Sequence, residues 1–263
     1  MDYNYIIYEV REKIALITLN QPKKQNILSL NCIEEISSCL RNVAKEKSIT
    51  VIIVKGAGDN FCAGHDLNEI LHQDINNIRH LFQSCCDLMM LIHTVPQPVI
   101  AQVHGIATAT GCQLAAACDL VVAEEGAQFA TPGVQIGLFC TTPMVPLSRA
   151  VGRKKSLEML LTGKCINAQK AKEYGLVNRV VPKEKLEKET WALAKDIDRY
   201  SLAIVSLGKQ TFYQQIEMAE KQAYQYAKEV ISENALMDDA LEGMSAFLEK
   251  RSPVWKDKQC EQY

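Results

Sequence analysis

The chain has 263 residues, of which 48% are hydrophobic and 23% are charged, and its formal net charge is -2. These values are typical of a globular protein of one or two domains, and they exclude disordered, collagen-like, coiled-coil and small disulfide-rich proteins. A nearly neutral chain without a basic face offers no electrostatic basis for nucleic-acid binding. No apolar run reaches the roughly 18 residues of a membrane span, so we expect neither nucleic acid nor membrane as a partner.

The first two-thirds of the chain is predicted to alternate strands and helices. A helix is predicted from Leu30 to Val43, where apolar residues recur at helical spacing behind Ser29 as a cap. Asp66 is predicted to cap a short helix. Apolar runs next to loop residues predict strands, and helical spacing predicts two further helices. The strands are predicted at residues 5–10, 13–19, 51–54, 98–103, 120–123 and 128–130, and the further helices at 75–92 and 111–117.

The last third of the chain is predicted to be helical, interrupted only by a strand at residues 176–181. Its helices are predicted at residues 154–161, 168–174, 183–196, 202–216, 221–230 and 237–250. No low-complexity linker separates the two parts. We therefore predict one continuous α/β unit, with a core over residues 1–200 and a helical C-terminal region over residues 201–263.

The cysteines indicate a reducing compartment. The count of cysteines is 10, with no Cys-x-x-Cys pair and no zinc spacing to histidine. We therefore expect reduced, mostly packed thiols and no metal. The stretch from Met1 to Asn4 is too short and too acidic for a targeting signal, and a strand pattern follows it. Together these observations predict a cytoplasmic protein.

Two glycine-containing turns form the pattern that suggests chemistry. The first runs from Phe61 to Leu67 after one buried strand, and the second runs from His104 to Gln113 after the next. Each places free backbone N–H groups beyond a strand end and near a helix N-terminus, where negative charge is favoured. Two such groups that converge on one oxygen form an oxyanion hole, in which one donor is worth about 3 to 4 kcal/mol. Because glycine turns are common, the residues alone only suggest such a site.

These turns and the segments around them resemble the crotonase superfamily, also called the enoyl-CoA hydratase/isomerase superfamily. The resemblance covers nearly the whole chain, from Asn20–Asn26 through Phe129–Pro132 to Glu242–Arg251. It implies an α/β fold built as a spiral of ββα turns, with a helical C-terminal part that forms trimers. It also implies an acyl-CoA thioester as substrate or ligand, no further cofactor, and a homotrimer or a dimer of trimers.

The resemblance assigns roles to individual residues. It places the thioester carbonyl between the backbone amides of His65 and Thr110, and it places Phe247 and Lys250 at the site of a neighbouring subunit. Asp66 is better explained as a helix cap than as an acid. Contacts to the substrate or to its CoA end are expected at Lys23, Lys24, Ala63, Gly64, Asp66, Leu67, Gly105, Thr131 and Gly133.

The chain departs from the hydratases of this family at both of their catalytic glutamates. The first glutamate matches Gln113 and the second matches Gly133, and neither residue can transfer a proton. Since each acid–base group is worth about 10²- to 10⁴-fold in rate, we expect weak or no hydratase activity. If the scaffold geometry is intact, the double change Gln113→Glu with Gly133→Glu is expected to raise hydration.

Two alternative functions fit the same sequence. A malonyl-type-CoA decarboxylase needs no base, because loss of CO₂ forms the enolate directly. The family's methylmalonyl-CoA decarboxylase has a Gly-His-Asp turn like residues 64–66, but its catalytic tyrosine falls on or near Cys140. A non-catalytic acyl-CoA binder or regulator needs no acid or base at all. RNA binding, a property of some relatives, has little support in a slightly acidic chain.

Two further groups have a chemical and a structural explanation. Cys140 could act as a catalytic nucleophile only with a lowered thiol pKa, and a packed cysteine is the favoured explanation. Glu124 and Glu125 lie between two predicted strands, and we expect both in a solvated turn.

Overall fold

The computed structural model describes residues 3–256, so Cys260 lies outside the described residues. Two β-sheets surrounded by helices form this part of the chain. The strands are β1 (Ile6–Arg11), β2 (Ile14–Leu19), β3 (Val51–Gly56), β4 (Val99–Val103), β5 (Ile106–Thr108), β6 (Leu120–Glu124), β7 (Gln128–Ala130), β8 (Ile166–Asn167) and β9 (Arg179–Val181).

The helices are concentrated in the second half of the chain. The α-helices are α1 (Leu30–Val43), α2 (Ile75–Thr94), α3 (Thr110–Ala117), α4 (Met144–Val151), α5 (Arg153–Thr162), α6 (Ala168–Tyr174), α7 (Leu186–Asp198), α8 (Leu202–Gln215), α9 (Glu220–Asn234) and α10 (Asp238–Glu249). Short 3-10 helices lie at Pro22–Lys24, Leu67–Glu69, Pro132–Ile136 and Lys183–Lys185.

The larger sheet brings two loops together at one edge. Its strand order is β1-β2-β3-β4-β6-β9, with β1 antiparallel to β2 and every other neighbouring pair parallel. Parallel strands have their carboxyl ends at the same edge, where open α/β sheets bind ligands. The loops that follow β3 and β4 therefore meet there. The smaller sheet, in the order β5-β7-β8, begins with the strand that follows β4.

Apolar layers cover both faces of the larger sheet. All six residues of β2 are buried, as expected for a strand covered on both sides, and its alternate side chains point to opposite faces. Ile14 and Leu16 share a cluster with Leu186 of α7. Ile17 belongs to the main core on the other face, together with buried side chains of α1 and α2. The sheet therefore lies between α7 and the layer that contains α1 and α2.

The two predicted helix caps are confirmed. α1 spans the predicted residues, and the hydroxyl of Ser29 accepts a hydrogen bond from the amide of Cys32 at 3.3 Å. The carboxylate of Asp66 accepts one from the amide of Asn68 at 3.0 Å, at the start of the 3-10 helix Leu67–Glu69. Both side chains bind amides that the helix itself leaves without an acceptor.

Several elements differ from the prediction. The prediction lacks β5, β8 and α4. Proline usually breaks a helix, but Pro143 precedes α4 and Pro146 lies in its first turn, where proline is tolerated. Of the strand predicted at residues 176–181, only β9 is observed. Leu176 belongs instead to the end of α6, because its amide donates a hydrogen bond to the carbonyl of Ala171 at 2.9 Å. The helix predicted at residues 183–196 is a 3-10 turn followed by α7.

The expectation of a solvated turn is wrong for Glu124. This residue is 7% exposed, and its carboxylate accepts a hydrogen bond from the amide of Gly105 at 3.0 Å. Gly105 has a φ of +57°, and a Cβ there would lie 2.0 Å from the carbonyl oxygen of Asp59. The amide of Gly105 is therefore already bound by a carboxylate of the protein, at a point where the backbone leaves no room for a side chain. Glu125 is exposed, as predicted.

No helix within residues 3–256 is long and apolar enough to cross a membrane. In the same range, no three His, Cys, Asp or Glu side chains are grouped so that they could hold a metal ion. The nine described cysteines are free thiols, and seven of them are buried.

Candidate active site

The two predicted turns lie against each other at the edge of the sheet. The amide of Cys62 donates to the carbonyl of Ile106 at 3.0 Å, and the amide of Thr108 donates back to the carbonyl of Cys62 at 3.0 Å. The hydroxyl of Thr108 also donates to the carbonyl of Ala63 at 3.1 Å. The first turn therefore runs beside β5 like a short parallel strand.

Two glycines allow the backbones to approach closely. A Cβ added to Gly111 would lie 2.1 Å from the carbonyl oxygen of Cys62, so the first turn of α3 rests directly on that peptide. A Cβ added to Gly64 would lie 2.9 Å from the Cβ of Ala109 and 3.4 Å from the amide nitrogen of Thr110. Residues 64–65 and 109–110 are therefore neighbours, as the oxyanion-hole prediction requires.

The amides of His65 and Thr110 are both unengaged. Thr110 is the first residue of α3, so its amide has no acceptor within the helix. Among residues 3–256, no backbone or side-chain oxygen accepts a hydrogen bond from either amide. Two unengaged N–H groups on adjacent backbones can bind one oxygen between them.

The residue before Thr110 is strained. Ala109 has φ of 49° and ψ of -117°, a conformation that side chains other than glycine avoid at a cost of about 1–3 kcal/mol. Its amide donates to the carbonyl of Ala130 at 2.9 Å, which helps to hold it there. Strain of this kind concentrates at functional sites, and here it sets the direction of the Thr110 amide.

The side chain of His65 is part of the structure, whereas its amide is free. Its Nδ1 lies 3.2 Å from the carbonyl oxygen of Leu28, so Nδ1 carries the proton. The ring meets the ring of Phe82 on α2 edge to face, with centroids 5.3 Å apart. Burial lowers the pKa of His65, and the imidazole is therefore neutral near pH 7. Its Nε2 is buried without a partner among the described residues.

Gln113 lies one turn into α3 and is 2% exposed. Its Oε1 accepts a hydrogen bond from the hydroxyl of Thr142 at 3.2 Å. The thiol of Cys85 on α2 points at the same oxygen from 4.0 Å. This side chain, which the resemblance matches to the first hydratase glutamate, is thus held by two neutral donors.

The backbone closes over Gly133, which the resemblance matches to the second hydratase glutamate. A Cβ there would lie 2.5 Å from the carbonyl oxygen of Leu138 and 2.8 Å from the sulfur of Cys140. The amide of Leu138 donates to the carbonyl of Gly133 at 3.0 Å and holds this fold-back in place. Burial raises the pKa of Cys140, although the amide of Gly133 opposes the shift. The thiol therefore stays protonated, as expected of a packed cysteine.

The residues predicted for the CoA end lie at the rim of the same edge. Lys23 and Lys24 are exposed at the 3-10 helix Pro22–Lys24, and the Nζ of Lys24 lies 3.9 Å from a carboxylate oxygen of Asp66. Leu67 is exposed. The amide of Ala63 is already engaged, since it donates to the carbonyl of Gln25 at 3.0 Å.

Four other predicted residues lie apart from the two amides or deep in the structure. Gly105 uses its amide on Glu124, as described above. Thr131 is fully buried, and its hydroxyl has no partner within residues 3–256. Phe247 is 83% exposed on α10, and Lys250 caps the end of that helix. The roles of these residues toward a substrate stay predictions.

Known proteins of one family resemble this chain in sequence and in fold. A sequence model of the family described as enoyl-CoA hydratase/isomerase matches residues 9–258. Mouse enoyl-CoA hydratase domain-containing protein 3, mitochondrial, is 44% identical over 246 residues, which cover 93% of this chain and 82% of that protein. The crystal structure of the human protein of that name has a TM-score of 0.94 at 44% identity, covering 96% of this chain and 100% of the other. The structure of an enoyl-CoA hydratase from Mycobacterium smegmatis has a TM-score of 0.94 at 43% identity, covering 96% and 99%.

The names of these relatives correct the predicted location. The mouse and human proteins are both named mitochondrial, which contradicts the cytoplasmic prediction. That prediction relied on reduced thiols and on four N-terminal residues. Free thiols indicate a reducing compartment without identifying it, and four residues carry too little information to decide the question.

The matches extend over nearly all of the described chain, and the α/β fold that the resemblance implied is confirmed. The chain therefore belongs to the enoyl-CoA hydratase/isomerase family, the crotonase superfamily.

Proposed function

We propose that this protein binds acyl-CoA thioesters and holds the thioester oxygen in an oxyanion hole made by the amides of His65 and Thr110. The observation that carries the proposal is the pair of unengaged amides, kept together by the close approach of Gly64 and the strained backbone of Ala109. Negative charge collects on the thioester oxygen as an enolate forms, and dipoles already fixed there need no reorganisation. The family assignment supports the same class of substrate.

The proposal includes weak or absent hydration of enoyl-CoA. Hydration needs a base to activate water and an acid to protonate the α-carbon. Gln113 and Gly133 supply neither, and the raised pKa of Cys140 leaves its thiol a poor substitute. The amides alone stabilise an enolate but transfer no proton.

The proposal also includes a homotrimer or a dimer of trimers in the mitochondrion, the location that the relatives' names indicate. Residues 201–263 would form the trimerisation region beside a core of residues 1–200. α9 has no buried residue within one chain, and large apolar side chains of α9 and α10 are exposed, which is typical of a surface that another subunit covers. They are Tyr224, Ile231, Leu241, Met244, Phe247 and Leu248. Phe247 and Lys250 would then reach the CoA of a neighbouring subunit.

A malonyl-type-CoA decarboxylase is the second candidate, favoured by the uncharged groups around Gln113. In that reaction the bond from the α-carbon to the carboxylate breaks and CO₂ leaves. The electron pair stays as the enolate, which the two amides stabilise, and solvent supplies the proton. A non-catalytic binder or regulator would use the same amides without turnover.

Mass spectrometry of CoA esters mixed with stoichiometric protein in deuterated water tests these proposals. We expect crotonyl-, malonyl- and methylmalonyl-CoA to be retained by the protein, and crotonyl-CoA to gain little or no water. Loss of CO₂ from a malonyl ester would assign the decarboxylase, whereas retained but unchanged esters would indicate the binder. Hydration at the rate of a two-glutamate hydratase, or failure to retain any ester, would contradict the proposal.

Because the backbone closes over Gly133, the double variant Gln113→Glu with Gly133→Glu is expected not to gain hydratase activity. Any side chain at Gly133 collides with the backbone at Leu138, so we expect a loss of about 1–3 kcal/mol in the free energy of unfolding and no correctly placed carboxylate. Crotonyl-CoA hydration and chemical denaturation measure the two effects, with Gln113→Glu alone as the control that lacks the collision at residue 133. A stable double variant with at least a 100-fold gain in hydration would show that the backbone beside Gly133 leaves room for a side chain.

A further inference from the structure

Gln113 differs from a glutamate in what it can offer to a ligand. Its Oε1 accepts from the hydroxyl of Thr142 and faces the thiol of Cys85. Burial raises the pKa of Cys85 to about 12, so this thiol stays protonated and can only donate toward the oxygen. Both contacts orient the amide with its Nε2 group on the opposite side. No acceptor within residues 3–256 binds the Nε2 hydrogens.

The position of this Nε2 group is close to the proposed oxyanion hole. Gln113 follows Thr110 by three residues, so both lie on the same face of α3, separated by less than one helical pitch of about 5.4 Å. On α2, Phe82 and Cys85 are also three residues apart and share a face. Phe82 contacts His65 and Cys85 contacts Gln113. One face of α2 therefore lies along both His65 and Gln113.

The charges around this group favour a negatively charged ligand. In a hydratase, carboxylates at these two positions would repel an anionic acyl group, whereas here a neutral amide and a glycine replace them. The acidic side chains at the end of the first turn and in the 3-10 helix after it are engaged elsewhere: Asp66 lies beside Lys24, and Glu69 accepts from the amide of Leu30 at 2.7 Å. The N-terminus of α3 adds a further preference for negative charge.

We propose that the Nε2 group of Gln113 donates a hydrogen bond to a carboxylate oxygen on C3 of the acyl group, so that malonyl-type CoA esters are the preferred ligands. The inference rests on the proposed function, because the thioester must first occupy the two amides. With the thioester carbonyl held there, C3 is only two bonds from the carbonyl carbon and therefore stays close to the two amides. The preference for malonyl-type esters comes both from the hydrogen bond that Gln113 donates and from the absence of the two carboxylates that would repel the anionic acyl group.

Calorimetric titration with malonyl-CoA and with isovaleryl-CoA, an uncharged ester of similar shape, tests this inference. We expect the wild-type protein to bind malonyl-CoA more tightly. Gln113→Leu should weaken malonyl-CoA binding by about 10- to 100-fold, the size of a hydrogen bond to a charged group, and should change isovaleryl-CoA binding less than threefold. Thr142→Val, which releases the amide, should lower the preference in the same direction. Gln83→Leu makes the same chemical change on the exposed side of α2 and should leave both affinities unchanged.

The outcomes separate this inference from the function on which it rests. If neither ester binds the wild-type protein, the proposed function fails and the inference fails with it. If both esters bind equally well, or if Gln113→Leu weakens both to the same extent, acyl-CoA binding stands and the role of Gln113 is refuted. Should Gln113→Leu not fold, the wild-type preference and the Thr142→Val titration still decide the question.

Discussion

Replacing Gly111 by alanine is expected to destabilise the protein by about 3 kcal/mol or more and to remove acyl-CoA binding. The added Cβ would lie 2.1 Å from the carbonyl oxygen of Cys62 and 2.7 Å from its carbonyl carbon. Cys62 cannot move aside, since its amide and carbonyl are hydrogen-bonded to Ile106 and Thr108. The start of α3 must therefore shift, and the amide of Thr110, one residue earlier, shifts with it.

Gly208→Ala is the matched control for this prediction. Gly208 lies inside α8, and nothing is within 4 Å of a Cβ added there. Alanine favours helix over glycine by about 0.5–1 kcal/mol, so the control should be slightly more stable and should bind acyl-CoA normally. Urea denaturation and titration with a CoA ester measure both variants. A Gly111→Ala protein that is as stable as wild type and binds equally well would show that the two turns are not in this close contact.

Much of the fold could be predicted because its signals are local. α1 shows apolar residues at helical spacing behind a serine, and the structure has this helix and its cap at the predicted residues. The two glycine turns follow buried strands in the sequence, and parallel strands bring such turns together wherever they occur. This topology predicts only that the two turns meet, and the resemblance to the crotonase superfamily was needed to name the amides of His65 and Thr110 within them.

The parts that could not be predicted depend on contacts between distant segments. The positive φ of Ala109 is unexpected for an alanine, and the packing of Gly64 against it has no local signal. The partners of Gln113 come from α2 and from the segment after residue 136, so no spacing in the sequence brings them together. The closure over Gly133 likewise depends on a backbone fold-back, and sequence alone suggested that a glutamate could be restored there.

Lys209→Met is expected to lower the free energy of unfolding by about 3–5 kcal/mol, the cost of breaking a buried ion pair by removing one partner. The Nζ of Lys209 lies 2.7 Å from a carboxylate oxygen of Asp119, and the two side chains are only 6% and 14% exposed. The same ammonium donates to the carbonyls of Ile92 at 2.7 Å and Gln97 at 2.9 Å. Burial lowers the pKa of Lys209, and the carboxylate of Asp119 opposes the shift. Methionine fills a similar volume but removes the donor of the two carbonyls and the only charged partner of Asp119 in the described part of the chain, which then keeps two neutral donors, the hydroxyl of Tyr213 and the amide of Val99.

Arg149→Met is the control, because Arg149 pairs with Glu217 at 2.9 Å with both side chains more than half exposed. Exposed pairs contribute about 0–1 kcal/mol, so this variant should unfold near the wild-type midpoint. Equal effects of the two changes in urea denaturation would contradict the assignment of Lys209 as a buried anchor. A loss of acyl-CoA affinity is also expected for Lys209→Met alone. Lys209 joins α8 to the last turn of α2 through Ile92, and to Asp119 just after α3. The helices α2 and α3 in turn orient Gln113 and the amide of Thr110.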